Sequence, residues 1–167
     1  MRINILFFLF LFITTFKAHS QTFVGTFVMI KGEVKILRPA QPGANGPMVL
    51  YEDNKYTYEI AKLGSKVSSD DVVQTGTNGR GKIAFANGDH FNIGAGSSIS
   101  IPKPGADKSS PASLNLYYGK MRSIISKKGP RNNLQVKTPA ATAGVRGTDF
   151  YVRHTPKGSK LSVLRGE

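Results

Sequence analysis

Hydrophobic and polar residues alternate with a period of two over many short stretches of this chain, and no long window follows the helical period of 3.6. β-Branched and aromatic residues often take the alternate positions, as Ile83 and Phe85 do. Glycine and proline recur between these stretches. The candidate strands are residues 25–30, 33–37, 48–51, 56–60, 72–75, 82–86, 89–93, 98–101, 114–118, 121–125, 134–137, 149–153 and 161–164.

The residues between the candidate strands are typical of turns and loops. Asn87-Gly88 joins two stretches and is the strongest short-range signal for a β-hairpin. Residues 38–47, 102–113 and 126–133 are rich in proline, serine or charge and are predicted to be loops. Many short strands with frequent glycine turns predict an all-β fold, arranged as a winding β-roll, a β-helix-like structure or a sandwich with glycine corners.

The first twenty residues have the pattern of a secretory signal peptide. Arg2 precedes an apolar stretch over residues 5–16, and the small residues Ala18 and Ser20 follow it. The stretch is shorter than the roughly 20 residues that a membrane-spanning helix needs, so no transmembrane segment is expected in the mature chain. We therefore predict cleavage after Ser20 and export of one domain over residues 21–167, as a periplasmic, secreted or other cell-envelope protein. A chain of about 150 residues can bury roughly 68–70% of its unfolded surface.

The composition excludes several kinds of site and indicates a cationic region. Cysteine is absent, which excludes disulfides, iron–sulfur clusters and cysteine-bound zinc. Without Arg2 and Lys17 the net charge is +11, and residues 120–167 hold 11 basic and 2 acidic residues. Since export separates the chain from nucleic acid, this region is expected to meet anionic envelope polymer or an acidic protein, or to be a solvated face. The candidate contacts are Lys127, Lys128, Arg131, Lys157 and Lys160.

Residues 76–82 have the glycine and lysine spacing of a phosphate-binding P-loop. That motif requires Ser or Thr next and a helix after it, whereas Ile83 follows Lys82 and opens an alternating stretch. A turn that leads into a hairpin is the better interpretation.

The polar residues also fail to form a catalytic or metal-binding pattern. His90 and His154 lie far apart in the sequence, with no histidine or cysteine at a metal-ligand spacing. Asp70 and Asp71 precede a candidate strand, where an aspartate commonly accepts hydrogen bonds from nearby backbone N–H groups. We therefore expect no enzyme activity, no cofactor and no metal site.

Residues 138–152 form the most informative segment. Gly144 and Gly147 bracket Arg146 in a predicted tight corner, and Thr148 and Asp149 open the strand after it. One interpretation is a partly buried Arg146 guanidinium that bonds carbonyl groups of the corner and pairs with Asp149 or another acid. The other is that Arg146 contacts a carboxylate or phosphate of a partner.

This segment closely resembles the signature of the FecR domain family, an envelope module named for iron-citrate signalling in Gram-negative bacteria. Residues 32–37, 71–76, 78–88 and 116–122 resemble further segments of the family in the right order, so the resemblance extends over about residues 27–167. It implies a periplasmic β structure that works by protein contact, without catalysis or a cofactor, and thus favours the periplasm over the other two locations.

Two departures from the family affect the expected function. A signal peptide stands where the iron-citrate regulator has a sigma-factor-binding segment and a membrane helix, so sigma-factor control is not carried over. The sequence also stops where family members usually continue into another strand, which predicts an edge open to β-augmentation by a partner, or a shortened chain. The expected function is an exported protein-binding module in an envelope sensing or regulatory assembly. The alternative is a structural or adhesive module that binds anionic envelope polymer through its basic C-terminal third.

Overall fold

A computed structural model describes residues 23–103, 111–126 and 134–166, and every regular element in these ranges is a β-strand. The all-β prediction is therefore confirmed. The strands are β1 (Phe23–Lys31), β2 (Val34–Pro39), β3 (Met48–Tyr51), β4 (Asn54–Ile60), β5 (Lys66–Ser68), β6 (Val72–Thr75), β7 (Arg80–Phe85), β8 (His90–Ile93), β9 (Ser97–Ser100), β10 (Ala112–Ile124), β11 (Leu134–Thr138), β12 (Ala141–Val145), β13 (Asp149–Thr155) and β14 (Gly158–Arg165).

All fourteen strands belong to one hydrogen-bonded network in which β10 occupies the centre. The first half of β10 pairs with β9 and β11, and its second half pairs with β8 and β13. One half-sheet has the order β3-β4-β2-β6-β9-β10, and the other has the order β5-β1-β7-β8-β10-β13-β14. β12 extends the network through β11, and the pairing of β10 with β11 is parallel.

β10 passes from one half-sheet to the other at Gly119, whose φ is +93°. The Ser97 hydroxyl secures this crossing because it accepts the Lys120 N–H at 2.9 Å and donates to the Lys120 carbonyl at 3.1 Å. The sequence predicted two separate strands on either side of Gly119. The glycine instead lets a single strand of 13 residues change direction without ending.

The inward faces of both half-sheets contribute to one hydrophobic core. Its largest members include Phe27, Phe91 and Phe150, none more than 1% exposed. Phe91 also packs against Phe85, with 4.7 Å between the ring centroids. Full burial of a phenylalanine side chain stabilises the fold by about 1.5–3 kcal/mol. Because the described residues contain no disulfide, burial of this kind and the strand pairing hold the fold together.

Two strands were not predicted, and two predicted turns are confirmed. β5 has only three residues, and β12 lies where the sequence suggested a corner. Asn87-Gly88 joins β7 to β8, with a φ of +86° at Gly88. Residues 76–79 form a turn in which the Gly79 N–H donates to the Gly76 carbonyl, and a strand follows at Arg80. This segment therefore lacks the helix of a P-loop.

Candidate functional site

The signature segment connects β12 to β13. Gly147 adopts a φ of +55°, a left-handed conformation that favours glycine at this turn, as predicted. The prediction for Gly144 is wrong, because this residue lies within β12 and a Cβ there would meet no atom within 4 Å. Thr148 is buried, and its carbonyl accepts the Ile125 N–H at 2.9 Å.

Arg146 does not pair with Asp149. Its side chain is exposed and forms no hydrogen bond or ion pair within the described ranges. Asp149 instead accepts two bonds from Arg122, at 2.9 Å from Nε and 2.6 Å from Nη2, and this contact lowers the pKa of the Asp149 carboxyl. Arg122 lies on the neighbouring strand and on the same face of the sheet as Asp149. Strand pairing therefore brings Arg122 to this carboxylate, in place of Arg146, which is nearer in sequence.

β14 is an edge strand with apolar side chains in solvent. It pairs with β13 and with no other described strand. Leu161, Val163 and Leu164 are 42%, 60% and 56% exposed. Leu161 and Val163 lie opposite Val152 and Phe150, which are buried, so they extend the core-facing side of the sheet beyond its last covered strand.

The predicted basic contacts have different surroundings. Lys157 is exposed in the turn between β13 and β14. Lys160 is exposed too and lies within β14 opposite Arg153, whereas the sequence predicted a loop up to residue 160 and a strand from Leu161, because the hairpin turn is shorter than the sequence suggested. Lys127, Lys128 and Arg131 lie outside the described residues, as does the predicted signal peptide.

The two histidines do not meet in the fold. His154 Nδ1 lies 2.8 Å from the Ser159 hydroxyl, and His90 begins β8. Within the part of the chain that the structure describes, no group of three or more metal-ligating side chains comes together.

Asp71 is fully buried, and it accepts the Ser68 N–H at 2.8 Å, as expected of an aspartate before a strand. Arg38 approaches it, with Nε at 3.7 Å from Oδ2, but bonds Glu59 with its terminal nitrogens. Burial raises the pKa of Asp71 to about 6, although the Ser68 N–H and Arg38 oppose this rise. Asp71 is therefore a buried residue that holds the turn before β6 through the Ser68 N–H.

We expect Asp71 to make the protein less stable as the pH rises from about 4 to about 6. In this window the carboxyl is protonated in the folded chain and ionised in the unfolded chain, so unfolding releases a proton. The rise of the Asp71 pKa to about 6 on folding corresponds to roughly 3 kcal/mol in the free energy of unfolding. Urea unfolding from pH 4 to pH 7 should show this loss in the wild type but not in Asp71→Asn. Asp70→Asn, which changes an exposed neighbour, is the matched control, and parallel curves for wild type and Asp71→Asn would contradict the assignment.

A comparison with protein families places these features in a known group. A family model described as FecR protein matches residues 71–167, which is more than half of the chain. The chain belongs to the FecR family. The match contains β6 to β14, including the signature segment and the β14 edge, and FecR proteins are envelope-associated and regulatory.

Other comparisons add no relative. No curated protein and no solved structure matches the chain significantly. In the described ranges of this FecR domain, no helix has the length and apolar character needed to cross a membrane.

Sequence reasoning missed the partner of Asp149 and the exposed apolar residues of β14. The alternation around Arg122 predicts which side of its strand the side chain occupies, but it does not predict that β13 is the neighbouring strand. Leu161 and Val163 were recognised as strand residues, and their exposure follows from the position of β14 at the edge.

Proposed function

We propose that this FecR domain is an exported, non-catalytic module that docks a protein partner along β14, within an envelope sensing or regulatory assembly. The observation that carries the proposal is the edge itself, where β14 is paired on one side only among the strands that the structure describes, and Leu161, Val163 and Leu164 face solvent. The partner that fits is an extended segment with alternating apolar residues, because it would complete the backbone hydrogen bonds and cover these side chains.

Edge strands of this kind are usually protected. A long apolar edge invites pairing with other chains, and proteins commonly block it with charge, proline or a covering loop. Lys160 and Arg165 place charge on either side of the apolar residues, but β14 contains no proline and, among the described strands, pairs only with β13. Neighbouring apolar side chains that are exposed along a sheet edge are typical of an interaction site.

A second exposed edge serves as an internal comparison. β3 also has apolar residues in solvent, with Met48 and Leu50 57% and 66% exposed. It has four residues, whereas β14 has eight, and it lies before the segment that matches the family. Both the length available for pairing and the family match favour β14.

The proposal predicts a position-dependent cross-link in cells that make the protein. A photoreactive amino acid at position 164 should give a discrete adduct with another envelope protein, and Val163→Lys should abolish it by placing a charge on the covered face. The same photoreactive residue at position 50 on β3 is the control. Adducts of equal yield at both positions, or an adduct that survives Val163→Lys, would rule out docking along β14.

The alternative function, binding of an anionic polymer, is supported by a different observation. The outer face of the half-sheet that contains β14 carries exposed cations from five strands.

A further inference from the structure

Five cations from five strands lie in one row across the outer face of the half-sheet that contains β14. Lys31 on β1 is opposite Arg80 on β7, Lys120 on β10 is opposite Arg153 on β13, and Arg153 is opposite Lys160 on β14. All five side chains are exposed. We call this arrangement the cation row.

The two parts of the cation row are joined across β8 by Gly94. This residue follows the last residue of β8, and its N–H donates to the Lys120 carbonyl at 2.9 Å. A Cβ at position 94 would lie 2.5 Å from Lys120 Cγ, so the aliphatic stem of Lys120 extends over the glycine. Arg80, Gly94 and Lys120 also line one groove, and the row is therefore continuous from β1 to β14.

The charges of the cation row have no partners among the described residues, where none of the five side chains forms an ion pair or a hydrogen bond. Asp149, the acidic residue that points to the same face, is already bonded by Arg122. Like charges that lie directly opposite each other on neighbouring strands destabilise a sheet, and Arg153 has a lysine on each side. A bound polyanion would remove this repulsion.

The groove that Arg80, Gly94 and Lys120 line also contains uncharged side chains. It has a volume of about 390 Å³ and is lined in part by Met29, Asn92 and Tyr151. These residues present an apolar surface, an amide and a phenol, which together suit a ligand with both hydroxyl groups and apolar C–H faces. Sugar rings have this character.

We propose that the cation row and its groove bind a linear acidic polysaccharide that lies across the strands, with a carboxylate on each sugar. Neighbouring strands are about 4.8 Å apart, so the row extends over roughly 24 Å from β1 to β14. Arginine guanidinium groups bond carboxylates with two parallel hydrogen bonds, which Arg80 and Arg153 can supply. This inference gives the polymer-binding alternative a ligand class and a site, and it does not depend on docking at β14.

The arrangement favours a polysaccharide over two other polyanions. A membrane surface is matched by a broad patch of charge with projecting apolar groups, whereas the five exposed, unpaired cations form one line. The next row on this face holds the less exposed Lys82, and Arg122, which is already bonded to Asp149. Single-stranded nucleic acid is held by several aromatic platforms, but Tyr151 is the one aromatic residue among the positions that line this groove.

Calorimetric titration of the purified chain with polygalacturonate fragments tests the proposal. Lys120→Gln/Arg153→Gln should weaken binding at least about fivefold, while Lys55→Gln/Lys62→Gln, which removes the same charge from exposed positions outside the row, should leave it nearly unchanged. Arg153→Lys keeps the charge but loses the paired hydrogen bonds of the guanidinium group, so its affinity should lie between that of the wild type and that of Lys120→Gln/Arg153→Gln. Because the row repels itself, the melting temperature of Lys120→Gln/Arg153→Gln should equal or exceed that of the wild type.

Three results would overturn the proposal. Equal losses in the two double variants would show an effect of net charge alone, and an unchanged affinity in the row variant would exclude the row. Tighter binding to phosphatidylglycerol vesicles or to a single-stranded oligonucleotide, with the same sensitivity to the row variant, would replace the polysaccharide by that ligand. Val163→Gln, on the opposite face of β14, should leave polygalacturonate binding unchanged, which separates this result from the test of protein docking.

Discussion

Phe150→Ala is expected to lower the free energy of unfolding by about 3–5 kcal/mol, the usual cost of truncating a buried phenylalanine to alanine. Phe150 is fully buried on β13, opposite Ser123 of β10 and Val163 of β14. Its removal leaves a cavity between the centre of the sheet and the proposed docking edge. Urea unfolding at neutral pH measures the loss, and the melting temperature should fall by roughly 2–4 °C for each kcal/mol.

The matched control is an aromatic residue on a neighbouring strand with much of its surface in solvent. Tyr118→Ala, at a position 42% exposed, should cost clearly less than Phe150→Ala. If the two substitutions were equally costly, the core assigned to β13 would be wrong.

Gly119→Ala is expected to destabilise the protein by roughly 2–5 kcal/mol, because backbone strain and steric overlap add at this position. The φ of +93° is strained for any residue with a Cβ, and a Cβ here would clash with the Ser97 hydroxyl and the Gly96 carbonyl. Relief of the clash would displace the hydroxyl that bonds Lys120. The crossing of β10 between the half-sheets would then be distorted.

Gly144→Ala controls for the loss of a glycine as such. Gly144 lies in β12 with open space around it, so alanine should be neutral or slightly stabilising there. Thermal unfolding of both variants distinguishes the effects. A Gly119→Ala protein as stable as Gly144→Ala would contradict the geometry described for the crossing.

The sequence predicts the positions of the strands much better than it predicts which strands pair with each other. Alternation gave the approximate position of most strands, since period two is a local property of the chain, and Asn87-Gly88 gave its hairpin for the same reason. β10 was divided in two because glycine ordinarily ends a strand, whereas Gly119 bends one. Two contacts depend on pairing between distant segments: the bond from Arg122 to Asp149 and the position of Lys31 opposite Arg80. Such pairings follow from the global topology, which alternation does not encode.

The central position of β10 also determines how the protein is expected to unfold. Its residues pair with β8, β9, β11 and β13, so neither half-sheet can open without exposing backbone groups and core residues of the other. We therefore expect one cooperative transition and not a stepwise loss of halves. Because β13 follows β10 by some two dozen residues, a nascent chain cannot complete this arrangement until β13 has been synthesised.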